Sequence, residues 1–103
     1  MDDSKARGAL GLAARARKCV SGDFASEKAI KDGKAKLALI DTGVSDATRE
    51  RYGGMCERAG IPLLEMEGLG KPIGQPERMT AAVTDANFAK MIAEAFAKAH
   101  TAN

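Results

Sequence analysis

Tryptophan is absent from this chain, and only one tyrosine and three phenylalanines are present. A well-packed core must therefore be built mainly from Ala, Leu, Ile, Val and Met, which favours close helix packing through small side chains. Hydrophobic residues make up 45% of the 103 residues and charged residues 29%, as is typical of a globular protein rather than a disordered tail. The length predicts a single domain, residues 1–103, and excludes a multidomain enzyme.

Cysteine and histidine are also scarce. Cys19 and Cys56 lack the C-x-x-C or Cys/His spacing of a zinc site, and the one histidine, His100, lies close to the C-terminal end. No nucleophile elbow or neighbouring base is present for a hydrolase of the Ser or Cys type. We therefore expect no metal, no cofactor and no enzymatic activity. Two free thiols indicate a reducing compartment.

Long apolar runs are missing as well. No segment is long enough and apolar enough to cross a membrane, and the first residues lack the apolar region of a signal peptide. Together with the free thiols, these features favour a cytoplasmic protein without a membrane partner.

The net charge of +2 is distributed unevenly. Residues 4–40 contain nine Lys/Arg and three Asp/Glu, whereas residues 41–103 contain seven and nine. This asymmetry favours one basic surface that binds a polyanion. Uneven surface charge without a partner is the alternative interpretation.

Hydrophobic periodicity predicts alternating helices and strands. Helices are expected from Ser4 to about Lys18, from Asp23 to Asp32, after Ser45 and after Asp85, and strands near Val20 and over 35–40, 61–66 and 79–84. In the first helix the predicted core-facing side chains are Ala9, Leu12, Ala13, Ala16 and Cys19. Such alternation predicts a small sheet with helices on both faces.

The segment 20–36 combines a glycine turn, a helix start and several lysines. A helix that begins after Gly22 leaves the N–H groups of its first turn unpaired, which suits a phosphate. Lys28 and Lys31 share one flank with Phe24 at helical spacing. An aromatic ring beside two ammonium groups is typical of RNA binding, since bases stack and phosphates pair. Alternatively, Phe24 packs into the core and the lysines form an ordinary solvated face.

A second glycine-marked segment covers residues 68–76 and matches neither the Walker loop nor the dinucleotide fingerprint. It carries Lys71 and is followed by Arg78. Such a loop suits either contact with nucleic acid or a simple change of chain direction.

Three carboxylates follow predicted strands: Asp41 after one, and Glu65 and Glu67 near the end of another. They could meet as a pair for acid–base chemistry, although exposed acids at strand ends are the more ordinary interpretation. Asp41 also invites comparison with phospho-accepting receiver domains, but the acidic pair expected after an early strand is missing.

Three segments together resemble one known bacterial group. They read LGLAARARKCVSG at 10–22, KAIKxGKAKL at 28–37, and Ile73-Gly74 with AVTDxxFAKMI at 82–92. The group is the YlxQ-like branch of the kink-turn RNA-binding ribosomal protein superfamily. The resemblance implies an α/β fold, a three-layer α-β-α sandwich around a four-stranded mixed sheet, with RNA binding, no catalysis, and association with ribosomes or structured RNA.

In kink-turn binders of this superfamily, RNA is held by the helix after the glycine turn and by the loop before the last strand. Gly22 matches the turn glycine, Lys28 matches the helix lysine, and Gly74 closes the glycine-marked part of the second loop. Where those binders place Asn and then Glu, this chain has Phe24 and Ala25, which cannot make the same hydrogen bonds to purine edges. We therefore expect weakened or altered recognition of a standard kink-turn.

The candidate RNA-binding residues come from both segments. They are Gly22, Asp23, Phe24, Lys28, Lys31, Lys71, Gly74, Gln75, Pro76 and Arg78. The expected partner is structured RNA, with ribosomal RNA as the first class, and no DNA. Ribosomal or transcription proteins are further candidate partners, because a protein-interaction adaptor could use the same small sandwich.

Overall fold

A computed structural model describes residues 2–101 of the chain. The elements in chain order are α1 (Ser4–Arg15), β1 (Cys19–Ser21), α2 (Asp23–Lys31), β2 (Leu37–Ile40), α3 (Asp46–Ala59), β3 (Leu63–Glu65), β4 (Thr80–Val83) and α4 (Ala86–Thr101). The side-chain oxygen of Ser45 accepts a hydrogen bond from the Thr48 amide and so caps α3. Asp85 caps α4 in the same way through the Phe88 amide. The sequence predicted that a helix begins after each of these two residues.

The four strands form one mixed sheet in the order β1-β4-β2-β3. Strand β4 is antiparallel to both of its neighbours, whereas β2 and β3 are parallel. The ends of β1, β2 and β3 therefore lie beside the start of β4. Three backbone hydrogen bonds mark this place, from Gly22 to Thr80 at 2.9 Å, from Asp41 to Met79 at 2.8 Å, and from Met66 to Ile40 at 2.9 Å. We call residues 22–24, 41–45 and 66–79 the loop edge.

Helices cover both faces of the sheet. On one face α1 packs against α4, and small side chains of α1 such as Ala9 and Ala13 lie in the same core as Ile92. On the other face α2 and α3 bury Ile30, Tyr52 and other side chains against the sheet. The three-layer sandwich around a four-stranded mixed sheet is thereby confirmed.

Helix α1 ends earlier than predicted. Two hydrogen bonds close its last turn. The amide of Arg17 donates to the carbonyl of Ala14 at 3.1 Å, and the amide of Lys18 donates to the carbonyl of Ala13 at 2.8 Å. This double closure usually requires glycine at the left-handed position. Here Arg17 occupies that position with a φ of 61°, so no glycine marked the end of the helix in the sequence.

The buried face of α1 also differs from the predicted one. Leu10 is fully buried, whereas Leu12 is 49% exposed and Ala16 lies on the surface. The reason is a buried glycine. Gly11 lies so close to the carbonyl oxygen of Pro72 that a Cβ there would be only 2.9 Å from it, and this contact fixes the rotation of the helix.

The strained conformation at Arg17 predicts a stabilising substitution. A left-handed backbone costs an L-residue roughly 1–2 kcal/mol, and glycine avoids most of this cost. Arg17→Gly should therefore raise the free energy of unfolding by about 1 kcal/mol, measured by urea denaturation. Gly33→Ala is the reverse control, because Gly33 has a φ of 75° and open space around it, and it should destabilise. A neutral or destabilising effect of Arg17→Gly would contradict the assignment of strain.

Candidate functional site

The glycine turn leaves the start of α2 without a side-chain cap. Gly22 has a φ of 91° and a ψ of 154°, and it precedes the first helical residue. Its carbonyl oxygen accepts the first helical hydrogen bond from Ser26 at 2.9 Å, but no side chain bonds to the first-turn N–H groups. The positive end of the helix dipole therefore faces the loop edge, with the carboxylate of Asp23 in the same first turn.

Arg78 packs directly on this turn. A Cβ at residue 22 would overlap its Nη1 atom, so a larger residue there would displace the guanidinium. The Nε atom of Arg78 is buried without a hydrogen-bond partner, and the carboxylate of Glu77 lies 3.7 Å from it. The fold thus holds a permanent cation against the uncapped end of α2, beyond hydrogen-bond distance of its neighbouring acid.

The loop between β3 and β4 folds back on itself in a series of tight turns. The amide of Gln75 bonds to the carbonyl of Gly70 at 2.9 Å, and that of Gly74 bonds to Lys71 at 3.0 Å. A Cβ on Gly70 would overlap the carbonyl oxygen of Gln75, so glycine is required there. Lys71, Gly74, Gln75 and Pro76 all lie on the surface of the protein.

This loop contacts α1 on one face of the sheet and the glycine turn before α2 on the other. Near its start, Arg7 of α1 donates to the carbonyl of Glu67, and Pro72 packs on Gly11 of the same helix. At the end of the loop, Arg78 lies against Gly22 in the glycine turn before α2. Lys71 therefore belongs to the part of the loop next to α1, while Arg78 belongs to the part next to α2.

The carboxylates that follow the strands have structural partners. Asp41 accepts hydrogen bonds from the amides of Gly43 and Gly68, each at 2.8 Å. Glu65 accepts a hydrogen bond from Nε of Arg49 at 2.6 Å. These contacts hold the loop edge together and pair neither carboxylate with a second acid.

Asp23 is held by two residues of α3. Arg51 reaches both carboxylate oxygens at 3.0 and 2.9 Å, and the hydroxyl of Tyr52 donates to Oδ1 at 2.6 Å. This hydroxyl lowers the pKa of Asp23 below its ordinary value of 3.8. Burial, assisted by Asp23, raises the pKa of Tyr52 to about 12. The cluster fixes the start of α2 against α3.

A groove of about 400 Å³ lies between the glycine turn and α3. Its lining residues come from three segments and are Gly22, Asp23, Val44, Thr48, Arg51, Glu77, Arg78, Met79 and Thr80. Sequence reasoning missed Val44, which precedes α3, and also Thr48 and Arg51, which are three residues apart and share one face of α3. Only the packing of α3 beside α2 shows that this face meets the glycine turn.

Phe24 is 84% exposed, so the alternative that placed it in the core is wrong. Lys28 and Lys31 line the same surface depression as Phe24. Each lysine is paired along α2, Lys28 with Asp32 at 2.9 Å and Lys31 with Glu27 at 2.8 Å. Exposed pairs of this kind are weak, and a phosphate can replace the carboxylate as the partner.

The described residues offer little for metal or thiol chemistry. Within residues 2–101, no three His, Cys, Asp or Glu side chains lie close enough to hold a metal ion, and no helix is long and apolar enough to span a bilayer. Both cysteines are free thiols. Burial raises the pKa of Cys19 to about 11 and also raises the pKa of Cys56, which disfavours the reactive thiolate.

Comparison with known proteins assigns the chain to a family. A family model described as "Ribosomal protein L7Ae/L30e/S12e/Gadd45 family" matches residues 4–93. The chain belongs to this family. Within it, the chain is similar to "RNA-binding protein YlxQ" of Bacillus subtilis (strain 168), with 38% identity over 86 residues, which cover 81% of this chain and 86% of that protein. The predicted YlxQ-like branch is confirmed.

Two solved structures have a similar fold. A protein of unknown function from Bacillus halodurans has a TM-score of 0.87 and 30% identity, covering 91% of this chain and 98% of that one. The "Giardia lamblia 15.5kD RNA binding protein" has a TM-score of 0.73 at 19% identity, covering 91% and 83%. The second likeness concerns the fold alone.

The Asp23–Tyr52 contact is testable because Tyr52 is the only tyrosine and tryptophan is absent. Ultraviolet absorbance against pH should give a midpoint of about 12 in the folded protein and about 10 in urea. Because the pKa of Tyr52 is higher in the folded protein, its contribution to the free energy of unfolding should be fully present below a pH of about 10. This contribution should be lost as the pH rises towards about 12. Asp23→Asn, which removes the carboxylate, should lower the folded midpoint. A folded midpoint equal to that in urea would contradict the contact.

Gly70 and Gly53 form a matched pair for testing the loop. Gly70→Ala should destabilise the protein by about 1–3 kcal/mol, because the new methyl group forces backbone away. Gly53→Ala should stabilise it by about 1 kcal/mol, since that position lies inside α3 with open space around it. Thermal unfolding of both variants measures the difference, and equal effects would contradict the tight loop.

Proposed function

We propose that this chain binds structured RNA through its loop edge, without catalysis, and that residues 1–103 act as one RNA-binding domain. Membership of the L7Ae-type family and the printed name of the Bacillus subtilis relative support this proposal. The observation that carries it is the guanidinium of Arg78, which is fixed on Gly22 at the uncapped start of α2 beside an 84% exposed Phe24.

The chemistry of the loop edge divides between phosphates and bases. Arg78 and the start of α2 provide fixed positive charge for a phosphate. Phe24 offers a ring on which an unpaired base stacks. Lys28 and Lys31 extend the cationic surface along α2 once a phosphate displaces their carboxylate partners.

The second loop completes the proposed RNA path. Lys71 supplies a further cation at the α1 end of the loop. Gly74, Gln75 and Pro76 present backbone and a side-chain amide on the surface, and these groups suit contact with a sugar–phosphate backbone or a base edge. Asp23 has a positioning role in this scheme, since Arg51 and Tyr52 hold it.

Recognition of standard kink-turns should be weak. The side chains at 24 and 25 are Phe and Ala, and neither offers a polar group to a purine edge. We therefore propose ribosomal RNA as the ligand class, in a cytoplasmic setting, with ribosomal or transcription proteins as further partners. An adaptor that uses only protein contacts would instead show little RNA binding and a flat salt dependence.

Phe24→Ala tests the stacking role. It should weaken binding to a folded ribosomal RNA fragment by about 1–3 kcal/mol, measured by fluorescence titration. The melting temperature should not change, because the ring contributes little to the core. Leu12→Ala is the control, as it also truncates an exposed apolar side chain, but on α1. RNA affinity unaffected by Phe24→Ala would exclude stacking.

The double substitution Phe24→Asn and Ala25→Glu tests the account of specificity. Wild type should bind a simple kink-turn duplex little better than an unkinked duplex of the same length. The double variant should discriminate between them by roughly tenfold, since one restored set of base contacts is worth about 1–3 kcal/mol. Tight, kink-dependent binding by wild type would refute the proposed weak specificity.

A further inference from the structure

A second set of cations lies at the other end of the strands. Arg17 and Lys18 precede β1, and Lys34 and Lys36 precede β2. All four are exposed, and no carboxylate within residues 2–101 forms an ion pair with any of them. We call residues 16–18, 32–36, 60–62 and 84–85 the basal edge.

The sheet holds these cations close together. The amide of Thr84 bonds to the carbonyl of Lys18 at 2.8 Å, and the amide of Lys36 bonds to the carbonyl of Val83 at 2.7 Å. Lys18 and Lys36 therefore flank the end of β4 on its two sides, with about 10 Å between their backbones at ordinary strand spacing. Two segments that are far apart in the chain form one cationic row.

The two acidic residues of this edge, Asp32 and Asp85, each accept a hydrogen bond from another group. Asp32 pairs with Lys28 at 2.9 Å, and Lys28 together with the nearby charge of Lys34 lowers the pKa of Asp32. The carboxylate of Asp85 accepts a hydrogen bond from the Phe88 amide at 2.9 Å. Helix α4 begins at this edge, whereas α1, α2 and α3 end there, so the cations lie beside three negative helix ends and one positive end. The four cations still outnumber the two carboxylates, so the side chains of this edge carry a net positive charge.

Arg17 provides an independent observation. Its backbone is strained, with a φ of 61°, at a position that glycine occupies at lower cost. The closing hydrogen bonds of α1 fix this backbone from both sides. The chain therefore presents a cation here at the expense of stability, which points to a use for the charge.

The surroundings favour phosphate over protein. The exposed large hydrophobic residues of the described chain lie elsewhere, Phe24 and Met79 at the loop edge and Leu12 and Met91 on α1 and α4. Protein interfaces usually contain buried aromatic or aliphatic anchors. A cationic surface without such anchors suits the sugar–phosphate backbone.

We propose that the basal edge is a second RNA-binding surface, which holds the phosphate backbone of a separate RNA segment without reading its sequence. The molecule measures 32 × 29 × 26 Å, so a short hairpin seated on one edge leaves the other accessible. The protein would then join two RNA segments. This proposal extends the proposed function but does not require the loop edge to bind.

The test compares two variants with the same loss of charge. The basal variant carries Arg17→Gly, Lys18→Gln, Lys34→Gln and Lys36→Gln. The control variant carries Lys5→Gln, Arg58→Gln, Lys90→Gln and Lys98→Gln, all at exposed positions outside both edges. Affinity for a folded ribosomal RNA fragment is measured against salt concentration, and each lost phosphate contact lowers the log–log slope by about 0.7–0.9.

The basal variant should lose about 3 units of slope and bind at least tenfold more weakly at low salt, with little change in the control. Equal behaviour of the two variants would overturn the proposal. Polyglutamate serves as a probe for acidic proteins. If the basal variant loses binding to polyglutamate while its RNA binding is unchanged, the proposal is overturned in favour of an acidic protein partner. Arg17→Gly alone should raise the melting temperature while weakening RNA binding, and opposite signs of this kind separate a functional cation from a structural one.

Stoichiometry separates this proposal from the proposed function. With short hairpins from the same RNA, native mass spectrometry should show two RNAs per wild-type protein and one per basal variant. A loop-edge variant with Phe24→Ala and Arg78→Gln should also retain one, held by the basal edge. A basal variant that binds as many hairpins as the wild type would overturn the basal site. Loss of all RNA from the basal variant, with one hairpin still bound to the loop-edge variant, would instead overturn the loop edge.

Discussion

The position of β4, antiparallel between β1 and β2, is the constraint on which the rest of the structure depends. Because β4 runs against the other three strands, its start meets their ends. The loop that leads into β4 is thereby brought against the glycine turn, and Arg78 comes to lie on Gly22. The same arrangement places the end of β4 between the two basic segments before β1 and β2. Both cationic surfaces are consequences of one strand's direction.

Both surfaces contain residues that depart from the usual local preferences of helix caps, apolar side chains and backbone angles. At the loop edge, α2 begins without a side-chain cap, and Phe24 is left in solvent. At the basal edge, Arg17 adopts a backbone conformation that favours glycine. Elsewhere the chain follows the ordinary rules, as with the Ser45 cap and the small side chains between α1 and α4. Departures from local rules that are concentrated at two edges are expected where a sequence serves binding as well as folding.

Much of the fold could be predicted from the sequence, since periodicity, helix caps and glycine signals are local properties. The failures have specific causes. Arg17 hides the end of α1 because it takes the place of glycine, and Gly11 is buried by a contact with Pro72 that hydrophobic periodicity does not register. The contact of Arg51 with Asp23 joins residues 28 positions apart, and it depends on which face of α3 meets α2. Such tertiary contacts have no local signal.

The central claim is that RNA lies across the start of α2 and the end of the loop before β4. Mapping of backbone amide chemical shifts by NMR, during titration with a folded ribosomal RNA fragment, tests this claim most directly. The account predicts the largest shifts at Gly22–Ala25 and Gly74–Arg78, with a second, more salt-sensitive set at the basal edge. Shifts confined to the surface of α1 and α4, with both edges unaffected, would contradict it.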